Sequence, residues 1–138
     1  MAAPTHEPTN LATDPVCAVI VTFHPDADVI ANLQALRPQV SRVVVVDNGS
    51  TPEELAQLRQ AALALDVELI ENGDNLGIAA ALNRGIRRAL ELDYLWVLLF
   101  DQDSRVTEDF TQTMMGAFAA SPSRDRLAIL IPRYEDRR

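Results

Sequence analysis

Apolar runs and amphipathic stretches alternate along this chain almost without interruption. Residues 16–23 form a continuous, β-branched apolar run and predict a first strand. Residues 26–36 place Val29, Leu33 and Leu36 at helical spacing, and Pro38 is expected to end that helix. Four consecutive valines, residues 43–46, predict a short buried strand. Thr51-Pro52-Glu53-Glu54 then opens a helix: Thr51 suits the cap, Pro52 the first turn, and Glu54 completes a capping box. Leu55, Leu58, Ala62 and Leu65 give its apolar face, and residues 67–70 a third strand. Residues 77–92 read as a long helix with Ile78, Leu82, Ile86 and Leu90 on one stripe. The run of residues 94–100 has the length and continuous hydrophobicity of a strand buried on both faces, with the fourth strand over 95–100 and Trp96 in the core. Residues 109–119 predict another amphipathic helix, with Thr107 as its cap and Met114, Met115 and Phe118 as its core face; residues 127–131 predict a fifth strand.

Strands alternating with helices imply a three-layer α/β/α domain, Rossmann-like, with a mostly parallel sheet and right-handed crossovers. In such a sheet the loops after the first, second and fourth strands share one edge, where open α/β folds bind ligands. Those loops are Thr22-Phe23-His24, Asp47-Asn48-Gly49-Ser50 and Asp101-Gln102-Asp103-Ser104. Two carboxylates one residue apart, at the end of an apolar strand, suit a hard divalent cation that takes oxygen ligands and bridges to phosphate. Each cluster also has a plainer reading. The acids fit a solvated turn, Asp47-Asn48-Gly49-Ser50 is good turn sequence, and Asn75 and Asn83 suit stabilisation of a helix start. Arg84, Arg87 and Arg88 fit a solvated helix face.

Charge narrows the partners. The 138 residues carry a net charge of −8, which argues against nucleic acid or an anionic membrane surface. All 12 basic residues are arginine, so every mechanism that requires a lysine is excluded. A phosphorylated ligand then needs a metal or backbone amides for its positive field. Cys17 is the single cysteine, so no internal disulfide forms; it reads as a small buried hydrophobe. No stretch has the about 20 apolar residues of a membrane span. Residues 1–15, with Pro4, Pro8 and Pro15, read as a flexible tail rather than a signal peptide, which makes the cytoplasm the expected location. Residues 16–138 read as one domain.

Four segments together resemble family 2 glycosyltransferases. They are Ala18-Val19-Ile20-Val21-Thr22-Phe23-His24-Pro25, Val45-Val46-Asp47-Asn48-Gly49-Ser50, the stretch from Asn72 through Asn75-Leu76-Gly77 to Gly85, and Leu98-Leu99-Phe100-Asp101-Gln102-Asp103-Ser104. The Asp-Gln-Asp-Ser form, with His24-Pro25, is most similar to the rhamnosyltransferase branch. The resemblance implies the amino-terminal half of a GT-A fold, a nucleotide-diphospho-sugar donor (dTDP-L-rhamnose for this branch) and inverting transfer to a saccharide or lipid-linked saccharide acceptor. It places Asp47 at the pyrimidine base, Thr22 and His24 near the nucleotide, and Asp101 near the ribose and metal. It makes Asp103 a ligand of Mg²⁺ or Mn²⁺, and Asn75 and Arg84 further nucleotide contacts. It also implies a second half that binds acceptor and supplies a carboxylate base. This chain is expected to lack that half, so no catalytic base is assigned. The process implied is bacterial cell-surface polysaccharide synthesis, at the inner face of the membrane.

Two other classes compete. One is a binding module without turnover, whose uncovered apolar surface would meet a partner or a second copy. The other is a phosphatase of the haloacid-dehalogenase type, which also carries Asp-x-Asp after an apolar strand. Here, however, that motif is on the fourth strand and no lysine is available to hold the phosphate. A receiver-like domain lacks the same lysine, and a dinucleotide-binding dehydrogenase lacks its glycine-rich turn.

Overall fold

A computed structural model describes residues 14–133; of the expected tail, residues 1–13 lie outside the described residues. The described residues fall into two compact units, Pro15–Glu108 and a smaller one built on residues 109–133 with Asp14.

The larger unit contains strands β1 (Val16–Thr22), β2 (Arg42–Asp47), β3 (Glu68–Glu71) and β4 (Trp96–Asp101), and helices α1 (Asp28–Leu36), α2 (Pro52–Leu65) and α3 (Ile78–Glu91). The sheet order is β3-β2-β1-β4, and every pairing is parallel. The two central strands are buried along almost their whole length, as their runs of valine and isoleucine require. Side chains alternate between faces. Val19 and Val46 turn toward α3, where Gly85 lies against them. Ile20 turns the other way, into a hollow walled by Val29, Leu33 and Leu36 of α1. This is the expected Rossmann-like α/β/α layering.

Helix boundaries follow local chemistry. Thr51 caps α2 with the full capping box: Glu54 N–H donates to its hydroxyl, and Thr51 N–H donates to Glu54 Oε2 at 2.8 Å. Leu58 and Ala61 are the buried residues of α2. Helix α1 starts at Asp28 rather than at residue 26, because Asp26 turns its carboxylate back to accept from Asp28 N–H. It passes into a 3-10 turn over Arg37–Gln39 that holds Pro38.

Four expectations are corrected. The buried face of α3 is Ala81, Gly85 and Ala89; of the expected stripe Leu82 packs partly buried against this core, while Ile78 and Leu90 stay 57% and 60% exposed. The helix lies so close to the sheet that a Cβ at Gly85 would fall 2.3 Å from Val19 Cγ1, so only small residues fit its inner face. Strand β4 is not buried on both faces. It is an edge strand, Trp96 is half-buried, and Leu95 and Leu99 are 77% and 48% exposed. Residues 127–131 form no strand: that stretch joins no ladder among the described residues, and Ile129 and Ile131 are exposed. An apolar β-branched sequence without a neighbour to hydrogen-bond gains nothing from extension. Finally, Thr107 does not cap helix α4 (Phe110–Ala120). Asp109 occupies that position, and its side chain makes no capping bond to the first turn. In this smaller unit Met115 and Phe118 are buried on α4, Met114 is half-buried, and a 3-10 turn over Arg124–Arg126 follows.

Candidate donor site at the carboxyl edge of the sheet

The parallel order brings the loops after β1, β2 and β4 to one edge, and hydrogen bonds tie them together. Asn48 N–H donates to the Thr22 carbonyl at 2.8 Å as β2 leaves the sheet. His24 N–H donates to Ser50 Oγ at 3.1 Å. Phe23 is joined to Gln102 through both its N–H and its carbonyl.

Asp47 organises the second loop. It is fully buried, and four donors converge on its carboxylate. Gly49 N–H and Ser50 N–H reach Oδ1 at 3.1 and 2.9 Å; Thr22 Oγ1 and Ser50 Oγ reach Oδ2 at 2.8 and 2.5 Å. A carboxylate offers about four acceptor sites, so this one is saturated from within the chain. Thr22 is buried too, its hydroxyl committed to Asp47. Gly49 lies where a Cβ would come within 2.9 Å of the Asp74 backbone, and its φ of 101° is closed to most other residues.

That close approach joins a fourth loop to the edge, the one between β3 and α3. Asn48, also buried, accepts from Asn72 Nδ2 and Leu76 N–H and donates to Asn75 Oδ1 at 2.9 Å. Asn75 Oδ1 also accepts from Gly77 N–H, which shapes the turn ahead of α3. Arg84 reaches back from α3 to Asn72 Oδ1 and to the Glu71 carbonyl. The candidate contacts Asn75 and Arg84 therefore hold this loop in place from exposed positions.

His24 is exposed and has a left-handed backbone, φ 45°, which costs a non-glycine residue energy. Its Nδ1 lies 2.9 Å from Glu54 Oε2. The Thr51 N–H, and after it the His24 ring, hold the Glu54 carboxyl below its ordinary pKa.

Asp101 and Asp103 differ from Asp47. Both are exposed at the strand end, and among the described residues no hydrogen bond or ion pair is seen on either carboxylate. No group of three potential metal-ligating side chains occurs among the described residues. The donor set nevertheless fits a hard cation such as Mg²⁺, which takes one or two carboxylates and completes its shell with phosphate oxygens and water. The sequence reading missed three residues here: Gln102, Asn32 and, for its contact with His24, Glu54. Amides and a cap residue that bond to backbone or to a ring have no diagnostic spacing.

The fold and this edge define a Rossmann-like α/β domain with an acidic pair at the carboxyl edge of its parallel sheet. The chain belongs to glycosyl transferase family 2, which it matches over residues 17–132. It is 39% identical over 106 residues to the dTDP-rhamnosyl transferase RfbF of Shigella flexneri, an alignment covering 72% of this chain and 33% of that protein. It is 26% identical over 95 residues to a poly-beta-1,6-N-acetyl-D-glucosamine synthase of Staphylococcus aureus, covering 69% of this chain and 22% of the relative. The chain thus spans a third or less of the length of these relatives. Among solved structures, the fold is shared with S. aureus TarS (TM-score 0.60, 21% identity, 75% of this chain and 32% of the other). It is shared also with the Mycobacterium tuberculosis glucosyl-3-phosphoglycerate synthase, solved with Mn²⁺ and UDP (TM-score 0.61, 17% identity, 89% of this chain and 47% of the other). These neighbours are GT-A glycosyltransferases, and the present sheet is the Rossmann-like part of that fold.

Proposed function

We propose that this chain is the donor-binding part of an inverting glycosyltransferase. It takes a nucleotide-diphospho-sugar, dTDP-L-rhamnose, for transfer to a saccharide or lipid-linked saccharide acceptor. The observation that carries this reading is the solvent-facing Asp101 and Asp103 pair, set among loops that the chain holds rigid. Similarity to a dTDP-rhamnosyl transferase supports the choice of donor. Asp101 and Asp103 are the residues that would hold Mg²⁺ or Mn²⁺. A cation bound there offsets the charge that develops on a departing diphosphate. The net charge of −8 adds to the need for it, since two anions otherwise repel. His24, Asn75 and Arg84 are exposed on the loops of the same sheet edge and supply nucleotide contacts. Thr22 and Asp47 act mainly by shaping the loops, and a base contact from Asp47 requires it to exchange one of its four internal bonds. No helix among the described residues is long and apolar enough to cross a membrane.

The test is a titration with dTDP, with and without Mn²⁺, followed by amide NMR shifts. Metal-dependent shifts at Asp101, Asp103 and His24 are expected, with Asp103→Ala weakening binding by about tenfold or more. Equal affinity in wild type and Asp103→Ala rejects the metal assignment. A second reading, a binding module without turnover, draws on the exposed Ile78, Leu90, Leu95 and Leu99. Concentration-dependent self-association without any dTDP shifts favours it.

A further inference from the structure

The residue between the two acids is itself anchored. Gln102 Oε1 accepts from Phe23 N–H at 2.9 Å, and Gln102 Nε2 donates to the Phe23 carbonyl at 3.2 Å. One amide side chain thus meets one residue's backbone on both its donor and its acceptor, as a neighbouring strand does. The β1–β4 ladder ends at Val21 and Asp101, so Gln102 extends the pairing one step past the point where the backbones part. The main chain of Gln102 is held as well. Its carbonyl accepts from Asn32 Nδ2 at 3.0 Å.

Asn32 is an unusual residue for its place. It lies on the inner face of α1 with Val29, Leu33 and Leu36, it is only 7% exposed, and among the described residues its Oδ1 has no partner. A buried amide with an orphaned oxygen costs stability relative to a leucine of similar size. Its one bond goes to the peptide that links the acid pair, in a hollow that Asp101, Gln102 and Ser104 also line.

We infer that Gln102 and Asn32 are positioning residues for the cation: they fix the peptides carrying Asp101 and Asp103 and lock them to the loop that presents His24. This rests on the donor-site reading above. Chelation by residues i and i+2 on a free loop must order the backbone at the moment of binding, whereas here the order precedes it. The clamp also joins the metal pair to the nucleotide loop, so Mn²⁺ and nucleotide strengthen each other's binding through Gln102, reciprocally.

The experiment measures Mn²⁺ affinity from the EPR signal of the free ion, with and without dTDP, in wild type, Gln102→Met and Asn32→Leu. Both replacements keep side-chain size, add no charge and remove the clamp's bonds. Urea unfolding of the same samples monitors the fold. The expected result is an unfolding midpoint for Asn32→Leu at or above wild type, with Mn²⁺ affinity in the presence of dTDP lowered about tenfold in both variants. The gain in dTDP affinity on adding Mn²⁺ should shrink in Gln102→Met, while binding of dTDP alone stays close to wild type. Unchanged Mn²⁺ affinity in both variants overturns the inference, as do losses that merely track a lowered unfolding midpoint. If wild type itself fails to bind Mn²⁺ with dTDP, the donor-site reading falls, an outcome distinct from a clamp that does not matter.

Discussion

At the scale of single residues, the two kinds of aspartate at this edge stand in opposite settings, one buried and one exposed, and substitution separates them. Removing the Asp47 carboxylate leaves the Gly49 and Ser50 N–H groups and two hydroxyls facing each other in a buried loop. With about 1–3 kcal/mol for each buried group left unpaired, Asp47→Ala should lower unfolding free energy by about 4 kcal/mol or more. Asp47→Asn keeps one oxygen for the two N–H groups, and the hydroxyls of Thr22 and Ser50 can turn to accept from its NH₂. It should cost only about 1 kcal/mol. Urea denaturation ranks the two, and dTDP affinity of the folded Asp47→Asn protein then tests a base contact on its own. Cys17 gives a second check. Burial, opposed in part by Arg42, pushes its thiol up to about 11. Its reaction with a thiol reagent at neutral pH should therefore wait for unfolding, and rapid labelling of the native protein would contradict the burial. Candidates were legible where they rest on a carboxylate at a strand end, as for Asp101 and Asp103, which stand exposed at the end of β4. They were not legible where an amide acts on a peptide, as for Asn32 and Gln102, because such a bond depends on which backbones the fold brings together.

At the scale of elements, hydrophobic periodicity located the helices and strands of the larger unit within a few residues but misjudged which faces are covered. In α3 the larger apolar residues suggested the core stripe, yet the helix sits so close to β1 and β2 that Ala81, Gly85 and Ala89 meet the sheet. Periodicity reports that a face is apolar, not how near its neighbour lies. For β4, a continuous apolar run implied cover on both faces, although cover depends on what stands at the sheet edge. The 127–131 run has the composition of a strand and joins no strand pairing among the described residues. Gly85→Ala tests the close approach. In an open helix this change stabilises by about 1 kcal/mol. Here the new Cβ would fall 2.3 Å from a methyl of fully buried Val19, whose branched side chain has little room to turn. Overpacking of this kind costs about 1–3 kcal/mol, so a net loss of up to about 2 kcal/mol is expected. A stabilised Gly85→Ala protein would show that α3 is free to move outward.

At the scale of the whole molecule, local pairs and overall charge respond to acid in opposite directions. The chain carries −8 at neutral pH and its isoelectric point is about 4.6, so mild acidification relieves self-repulsion and favours the folded state. Glu68 opposes this. It stands where β2, β3 and α3 meet, 2.5 Å from Arg42 and 2.6 Å from Arg88. Burial alone would raise its pKa, but the bonds from the two arginines outweigh burial and hold it below the ordinary carboxylate value. Glu54 is held low by the Thr51 N–H and the His24 ring. A carboxylate lowered in the folded state binds its proton more readily when unfolded. Its stabilisation is therefore complete above the unfolded pKa and is lost as pH falls through the folded one. Stability should stay level or rise slightly from neutrality to about pH 5, where relief of repulsion is the larger effect, and fall below about pH 4, where the paired carboxylates take up protons. Glu68→Gln should be less stable than wild type at neutral pH and lose less on acidification, so that the two urea midpoints converge in acid. Parallel curves for the two proteins would mean that the Arg42–Glu68–Arg88 cluster adds nothing to the acid response, and that overall charge alone governs it.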